Sequence, residues 1–461
     1  MKILLIQPPS SRPWMDEVFV VEPLALEYLA AGAKLDGHEV EILDARLEPD
    51  YERAFTRMVP DLVGITGYTS HVPAMRDITA RLKACRPETV VLVGGIHASS
   101  QPEDFNKPWI DFIAIGEGVL TLRELAQRLE KQEPVEGVRG LAIPGPELRF
   151  TEPRAYTELN ELPFPDRSLT APHRQSYFYE WHRPVALVRT SVGCKGRCNF
   201  CCIWQMTGGK YLRRDPEQIV AELKTIQEPY VHFCDDETML DAERMDLLAD
   251  MIIREKIRKK YITYARTDTI VRHPELFAKW RKIGLKTVLV GMESFSDGRL
   301  RAMKKSITME QHAAAVQLLK QMDIFLYASF MVDPAFTADD FRALAAYIKS
   351  MKLRYASFTI MTPLPGSELY REKRSELTTE RFELFDLFHA LLPTTLPLPE
   401  FYRQFAELYM HTVSLYDGLS TLLRYGWSRI PAQLRLGNKF IAQIHKAHLD
   451  HPGWAATEEK I

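Results

Sequence analysis

Along the first 145 residues, short unbroken apolar runs alternate with stretches of helical spacing. The runs Lys2–Gln7, Glu39–Leu43, Asp61–Thr66, Thr89–Val93 and Phe112–Ile115 predict strands, and Glu22–Leu35, Pro73–Cys85 and Leu120–Lys131 predict helices. Strands that are apolar throughout are buried on both faces. Separated by helices, they predict a doubly wound, Rossmann-like parallel sheet. Ligands of such sheets bind beyond the carboxyl ends of the strands. The small-residue loops fall there: Gly64 to Ser70, Gly94 to Ser99 and Gly116 to Gly118.

Residues 146–184 read as a linker, because their proline density argues against regular structure. From residue 185 the alternation resumes. Apolar runs at Ala186–Val188, Tyr230–Phe233, Ile262–Ala265, Thr287–Val290, Phe325–Phe330 and Tyr355–Ile360, each followed by a helical segment, predict a (β/α)6 partial TIM barrel over 185–377. Residues 378–461 turn helical and aromatic, with helices expected at Arg381–Leu392, Glu400–Tyr416 and Ile430–Ala447. Phe382, Phe385, Phe388, Leu391, Phe401, Phe405, Leu408, Tyr409 and Tyr416 recur at helical spacing there. That stripe reads as a pack closing the barrel in preference to a lipid pocket.

Composition adds limits. The 461 residues carry 59 basic and 61 acidic side chains, which gives no electrostatic reason to expect nucleic acid as a partner. No apolar run approaches the ~20 residues of a membrane span, and the N-terminus reads as a buried strand instead of a signal peptide. A cytoplasmic location is expected. Arg424, Arg429, Arg435, Lys439 and Lys446 accompany apolar residues in the last helices. They read as a solvated face, with peripheral membrane contact as the alternative.

The chemistry concentrates in one run, Cys194-Lys-Gly-Arg-Cys198-Asn-Phe-Cys201-Cys202, which holds four of the six cysteines directly after the first barrel strand. Three thiolates on one loop suit a four-iron cluster with one open iron. Zinc usually takes a fourth protein ligand, and no second CxxC or paired histidine follows at zinc spacing. Cys202 leaves a shifted CxxxCxxxC reading open beside CxxxCxxC. Cys85 and Cys234 are expected to be buried small residues.

With these residues the chain resembles the radical SAM superfamily over about 185–375. Cys194, Cys198, Phe200 and Cys201 match its cluster motif. Phe233-Cys-Asp235-Asp236-Glu237 is similar to its loop for the methionine amino group, Tyr264-Ala-Arg266-Thr-Asp268 ends the third strand, and Gly291-Met-Glu293-Ser294 is similar to its segment for the SAM polar groups. Thr362-Pro-Leu-Pro-Gly366 follows the sixth strand in the family's manner, whereas Val332-Asp333-Pro334 departs from its usual Gly-x-Pro. The resemblance implies a 4Fe–4S cluster on Cys194, Cys198 and Cys201, with S-adenosylmethionine held by Phe200, Asp235, Asp236, Arg266 and Glu293. Helix capping for the aspartates, an Arg266–Asp268 pair and a surface Glu293 are the plainer readings.

A doubly wound domain placed before such a barrel resembles the cobalamin-binding radical SAM enzymes. The resemblance implies cobalamin held by Thr69, Ser70, Gly94, Gly95, His97, Gly116 and Glu117. The DxHxxG motif of other cobalamin proteins is absent, so His97 is expected at the corrinoid periphery, and His71 is a weaker candidate for the cobalt face. The family resemblance implies methyl transfer to an unactivated carbon of a small molecule, with a flavodoxin or ferredoxin as electron donor. Radical dehydration, deoxygenation or rearrangement of a sugar or aminoglycoside, without methyl transfer, is the alternative. Leu24–Ala31, Val332 to Thr337 and Leu392 to Phe401 are similar to the hopanoid C-3 methylase branch, which implies a lipid, isoprenoid or other secondary-metabolite substrate.

Overall fold

A computed structural model describes residues 1–412 and 430–452. The chain divides into two units, residues 1–193 with 203–232, and residues 194–202 with 233–461.

The first unit is built on a seven-stranded sheet. Its strands lie in the spatial order Glu39–Asp44, Lys2–Gln7, Leu62–Thr66, Val90–Gly94, Phe112–Ala114, Leu141–Ile143, Arg149–Phe150. The first five pair in parallel. The last two are antiparallel additions, so the sheet reaches Phe150, beyond the stretch expected to end it. Ile3, Leu4, Leu5 and Ile6 are all buried, as an unbroken apolar strand covered on both faces should be. The helix Leu24–Leu35 starts after Pro23 and packs Leu26, Ala30 and Ala33 into the same core as Ile3 and Leu5. Pro73 sits in the first turn of the helix Val72–Cys85, where its missing N–H breaks no helical bond. A helix the periodicity did not reveal, Tyr51–Met58, is capped by Asp50. The strand order reverses between Lys2–Gln7 and Leu62–Thr66, which opens the crevice where such sheets take ligands.

Six strands follow in the chain as those of a (β/α)6 partial barrel: Val185–Val188, Tyr230–Phe233, Lys260–Tyr264, Leu285–Glu293, Phe325–Val332 and Ala356–Ile360. The last four lie in the second unit and pair in parallel in chain order. The intervening helices carry strong start signals. Thr308 with Gln311 and Thr337 with Asp340 form reciprocal capping boxes.

Both terminal strands of the barrel have their free edge closed by side chains. In the first unit Glu22 accepts from the Leu187 N–H, while Arg167 donates to the Leu187 carbonyl at 2.5 Å. In the second unit the Tyr409 hydroxyl accepts from the Phe358 N–H at 3.2 Å and donates to the Phe358 carbonyl at 2.5 Å. Ile360 N–H donates to the Leu387 carbonyl at 2.7 Å.

The tail departs from expectation at Arg381–Leu392, which holds only a 3-10 turn at Phe382–Leu384. Asp386 takes the Phe388 N–H and a ring nitrogen of His389, and Leu387 adopts φ 68, so local side-chain bonding displaces the helical ladder. The helix Leu398–Thr412 stands near the expected place, and Ile430–Lys446 is also helical. Tyr416, Arg424 and Arg429 lie outside the described residues. Phe385, Leu391, Phe401, Phe405 and Leu408 are buried, in keeping with a closing pack. Among the described residues no helix is long and apolar enough to cross a membrane.

Candidate functional site

The cysteine loop is anchored from outside its own motif. Asn199 N–H donates to the Met303 carbonyl at 3.1 Å and its side-chain amide to Ala302 at 3.2 Å, while its carbonyl accepts from Leu369 N–H at 2.8 Å. These bonds tie the loop to the end of the helix Asp297–Ala302 and to the start of the helix Glu368–Lys373. Cys194 and Cys201 are half-buried; Cys198 and Cys202 are buried. Gly196 N–H donates to the Cys194 sulfur at 3.3 Å. Phe200 is half-buried between the second and third cysteines.

Burial pushes the Cys194 and Cys198 thiols up. The Gly196 N–H and Arg266 work against it at Cys194, and Lys305 and Arg266 at Cys198. A loop with soft donors, an N–H aimed at sulfur and adjacent cations fits thiolate ligands of an iron–sulfur cluster. Among the described residues, no three His, Cys, Asp or Glu side chains close on one point as ligands of a single ion would. Cys202 is raised by burial and by Asp236, which disfavours its thiolate.

Asp235 is buried and Asp236 exposed in the loop after Tyr230–Phe233. Neither caps the next helix, Ala242–Arg254, because Asp241 does so. Glu237, quoted in the motif but given no role there, is wholly buried. Its Oε1 accepts from Arg266 N–H at 3.3 Å, and burial pushes its carboxyl up to about 7. Arg266 does pair with Asp268, Nε to Oδ1 at 2.9 Å, and its Nη2 reaches the Ser306 carbonyl at 3.4 Å. Glu293 is no surface carboxylate. It ends the strand Leu285–Glu293 at φ 62, 8% exposed, and pairs with the buried Lys305 at 2.7 Å. Lys305 carries no motif signal and only the fold reveals it. In place of Gly-x-Pro, Asp333 turns the chain by accepting from Ala335 N–H at 2.9 Å.

In the first unit the loops at the strand ends form a cradle. Gly95 has φ 104, and a Cβ there would meet Thr66 Oγ1 at 2.6 Å and the Gly67 carbonyl at 2.7 Å. Only glycine lets these two loops approach so closely. Ser70 and Gly94 are half-buried beside the buried Thr69, and Gly116 is exposed, its N–H donating to Ser99 Oγ at 2.9 Å. Small side chains, hydroxyls and a closely apposed backbone suit a bulky corrinoid and its nucleotide tail.

Two residues expected at the corrinoid also make hydrogen bonds within the protein. His97 is fully buried, with Nδ1 3.1 Å from Thr69 Oγ1 and Nε2 3.1 Å from Asp104 Oδ2, so it braces the loops from behind. The Glu117 carboxylate accepts from Val119 N–H at 2.6 Å and Leu120 N–H at 3.1 Å, starting the helix Val119–Glu130. Burial and Arg46 push His71 down to about 4, so the ring is neutral. Its Nδ1 accepts from Tyr68 N–H at 3.1 Å, which leaves the ring proton on Nε2. A nitrogen that carries a proton offers cobalt no lone pair. Cys85 is exposed and Cys234 half-buried, so neither is the buried small residue expected.

Residues 18–126 match the B12 binding domain model, and residues 188–348 match the radical SAM superfamily model. The chain is 29% identical over 417 residues to hopanoid C-3 methylase of Methylococcus capsulatus, covering 88% of this chain and 79% of the relative. It is 30% identical over 385 residues to an uncharacterized methyltransferase of Pyrococcus horikoshii, covering 80% and 82%. Among solved structures, the radical S-adenosylmethionine methyltransferase TsrM of Kitasatospora setae, with cobalamin and a 4Fe–4S cluster bound, superposes with a TM-score of 0.72. That match has 18% identity and covers 95% of this chain and 98% of the other.

Proposed function

The chain belongs to the cobalamin-binding radical SAM methyltransferases, and we propose that it methylates an unactivated carbon of a lipid or isoprenoid small molecule. The observation that carries the substrate class is the similarity to hopanoid C-3 methylase, which runs through 88% of this chain. The buried aromatic and aliphatic side chains of the tail support an apolar substrate.

The cofactors are a 4Fe–4S cluster, S-adenosylmethionine and cobalamin. When bound, they supply a low-potential electron, the source of a substrate-activating radical, and a methyl group. We assign Cys194, Cys198 and Cys201 to the cluster. The CxxxCxxC spacing supports Cys201 over the adjacent, buried Cys202 as third ligand. Asp235 and Glu293, both buried at strand ends, would accept hydrogen bonds from the cationic and hydroxyl groups of S-adenosylmethionine, and we assign Asp236 and Phe200 to the same cofactor. Glu237 fixes the Arg266 backbone beneath it. Thr69, Ser70, Gly94, Gly95 and Gly116 would take the corrinoid and its tail, with His97 and Glu117 holding those loops in shape.

A small electron carrier of the flavodoxin or ferredoxin type supplies the reductant in the cytoplasm. Lys439 and Lys446, exposed on the helix Ile430–Lys446, support peripheral contact with anionic lipid while the apolar substrate is collected.

The test is anaerobic reconstitution with iron, sulfide and hydroxocobalamin, then incubation with methyl-deuterated S-adenosylmethionine and an isoprenoid-rich lipid extract. Deuterium in an extracted lipid, absent with Cys198→Ala, is the expected result. 5′-Deoxyadenosine formation with unlabelled, dehydrated or rearranged product would overturn methyl transfer.

A further inference from the structure

We propose that Arg266 sets the reduction potential of the iron–sulfur cluster, and that Gly196 is the residue that admits it to the cluster loop. The inference rests on the assignment of Cys194 and Cys198 as cluster ligands. A Cβ built on Gly196 would lie 3.1 Å from Arg266 Nη1, 3.3 Å from Cys194 Sγ and 3.9 Å from Cys198 Sγ. One point is therefore in contact with the guanidinium and close to both sulfurs. The other two nitrogens of the group are fixed away from that point, Nε on Asp268 at 2.9 Å and Nη2 on the Ser306 carbonyl at 3.4 Å. These bonds leave Nη1 as the guanidinium nitrogen turned to the Gly196 loop and place the neutralising carboxylate on the opposite, Nε–Nη2 edge of the cation.

The second cation of the neighbourhood, Lys305, is matched by Glu293 at 2.7 Å. Both cations act on Cys198, but of the two only Arg266 also acts on Cys194, so it is the one that faces the ligand pair. Its planar fork holds that direction better than a flexible ammonium would.

Reduction adds one negative charge to a cluster already carried by thiolates. A fixed, partly desolvated cation stabilises the reduced form more than the oxidised one and raises the potential. This role differs from pairing with the carboxylate of S-adenosylmethionine, and the two are separable by experiment.

The cluster of reconstituted full-length protein is titrated by electron paramagnetic resonance without S-adenosylmethionine, alongside measurement of that ligand's Kd. Arg266→Gln should lower the potential by the equivalent of about a tenfold fall in the reduced-to-oxidised ratio, about 59 mV for one electron. Arg266→Lys should recover more than half of the shift. Gly196→Ala keeps the charge but fills its space, and should shift the potential the same way. Arg266→Gln and Gly196→Ala titrations that overlay the wild type would overturn the proposal. So would a tenfold weaker Kd with unchanged potential, which would put the guanidinium on the ligand. Wild-type protein that assembles no cluster would instead sink the functional reading on which the proposal stands, and this shows before any variant is made.

Discussion

Cys201 and Cys202 are adjacent in the chain yet meet different surroundings, one half-buried and one buried with Asp236 nearby. Cys201→Ala should abolish the absorbance of a reconstituted cluster and its fourth iron, whereas Cys202→Ala should retain both; iron and sulfide assays decide. Gly95→Ala forces a Cβ into Thr66 and the Gly67 carbonyl at φ 104. It should cost about 1–3 kcal/mol and abolish tight uptake of hydroxocobalamin, read by denaturation and by absorbance. The cysteine run and the glycine loops were legible in the sequence because their pattern is local: spacing on one loop, or a turn only glycine makes. Lys305 and the roles of Asn199 and His97 were not, because each depends on a partner brought close by the fold, such as Glu293, Met303 or Thr69.

At the scale of elements, the apolar runs located all six barrel strands and the first five strands of the N-terminal sheet, since burial on both faces leaves an unbroken apolar signature. The pattern failed where side chains compete with the backbone. At Arg381–Leu392 the periodic aromatics are buried, but Asp386 captures the amide that a helix would use. The two antiparallel strands at Leu141–Ile143 and Arg149–Phe150 are too short to carry a period of their own. The closed barrel edges yield a further expectation. Tyr409→Phe removes a hydroxyl that both accepts from and donates to Phe358. It should destabilise the last strand by about 1–2 kcal/mol and speed hydrogen exchange at the Phe358 amide, measured by mass spectrometry of exchanged peptides.

At the scale of the whole molecule, a buried network of charged side chains lies in the first unit. Glu22, Glu27, Glu222 and Glu228 meet Arg167, Arg174 and Arg214 through pairs that include Arg167–Glu222 at 2.7 Å and Arg214–Glu222 at 2.5 Å. Four carboxyls face three guanidiniums. Burial and Glu22 push the Glu27 carboxyl up to about 8, so a proton on Glu27 balances the charge. The unfolded group titrates near ~4.3. Between that value and about 8 the folded chain binds the extra proton, so this residue makes stability fall as pH rises, by on the order of 1 kcal/mol per pH unit. Glu27→Gln should therefore melt higher than wild type at pH 8, with the difference shrinking toward pH 5 in paired thermal scans.

The side chains that close the barrel edges also stand in a definite order along the chain. Glu22 and Arg167 both precede Leu187, so they are already synthesised when the first barrel strand leaves the ribosome. Tyr409 follows Phe358 by 51 residues, so the last strand emerges before the hydroxyl that covers it. Nascent chains paused in that interval present a bare strand edge to one another. The interval between residues 360 and 409 is thus one in which a bound chaperone or an unbroken run of fast codons would protect the yield of folded enzyme.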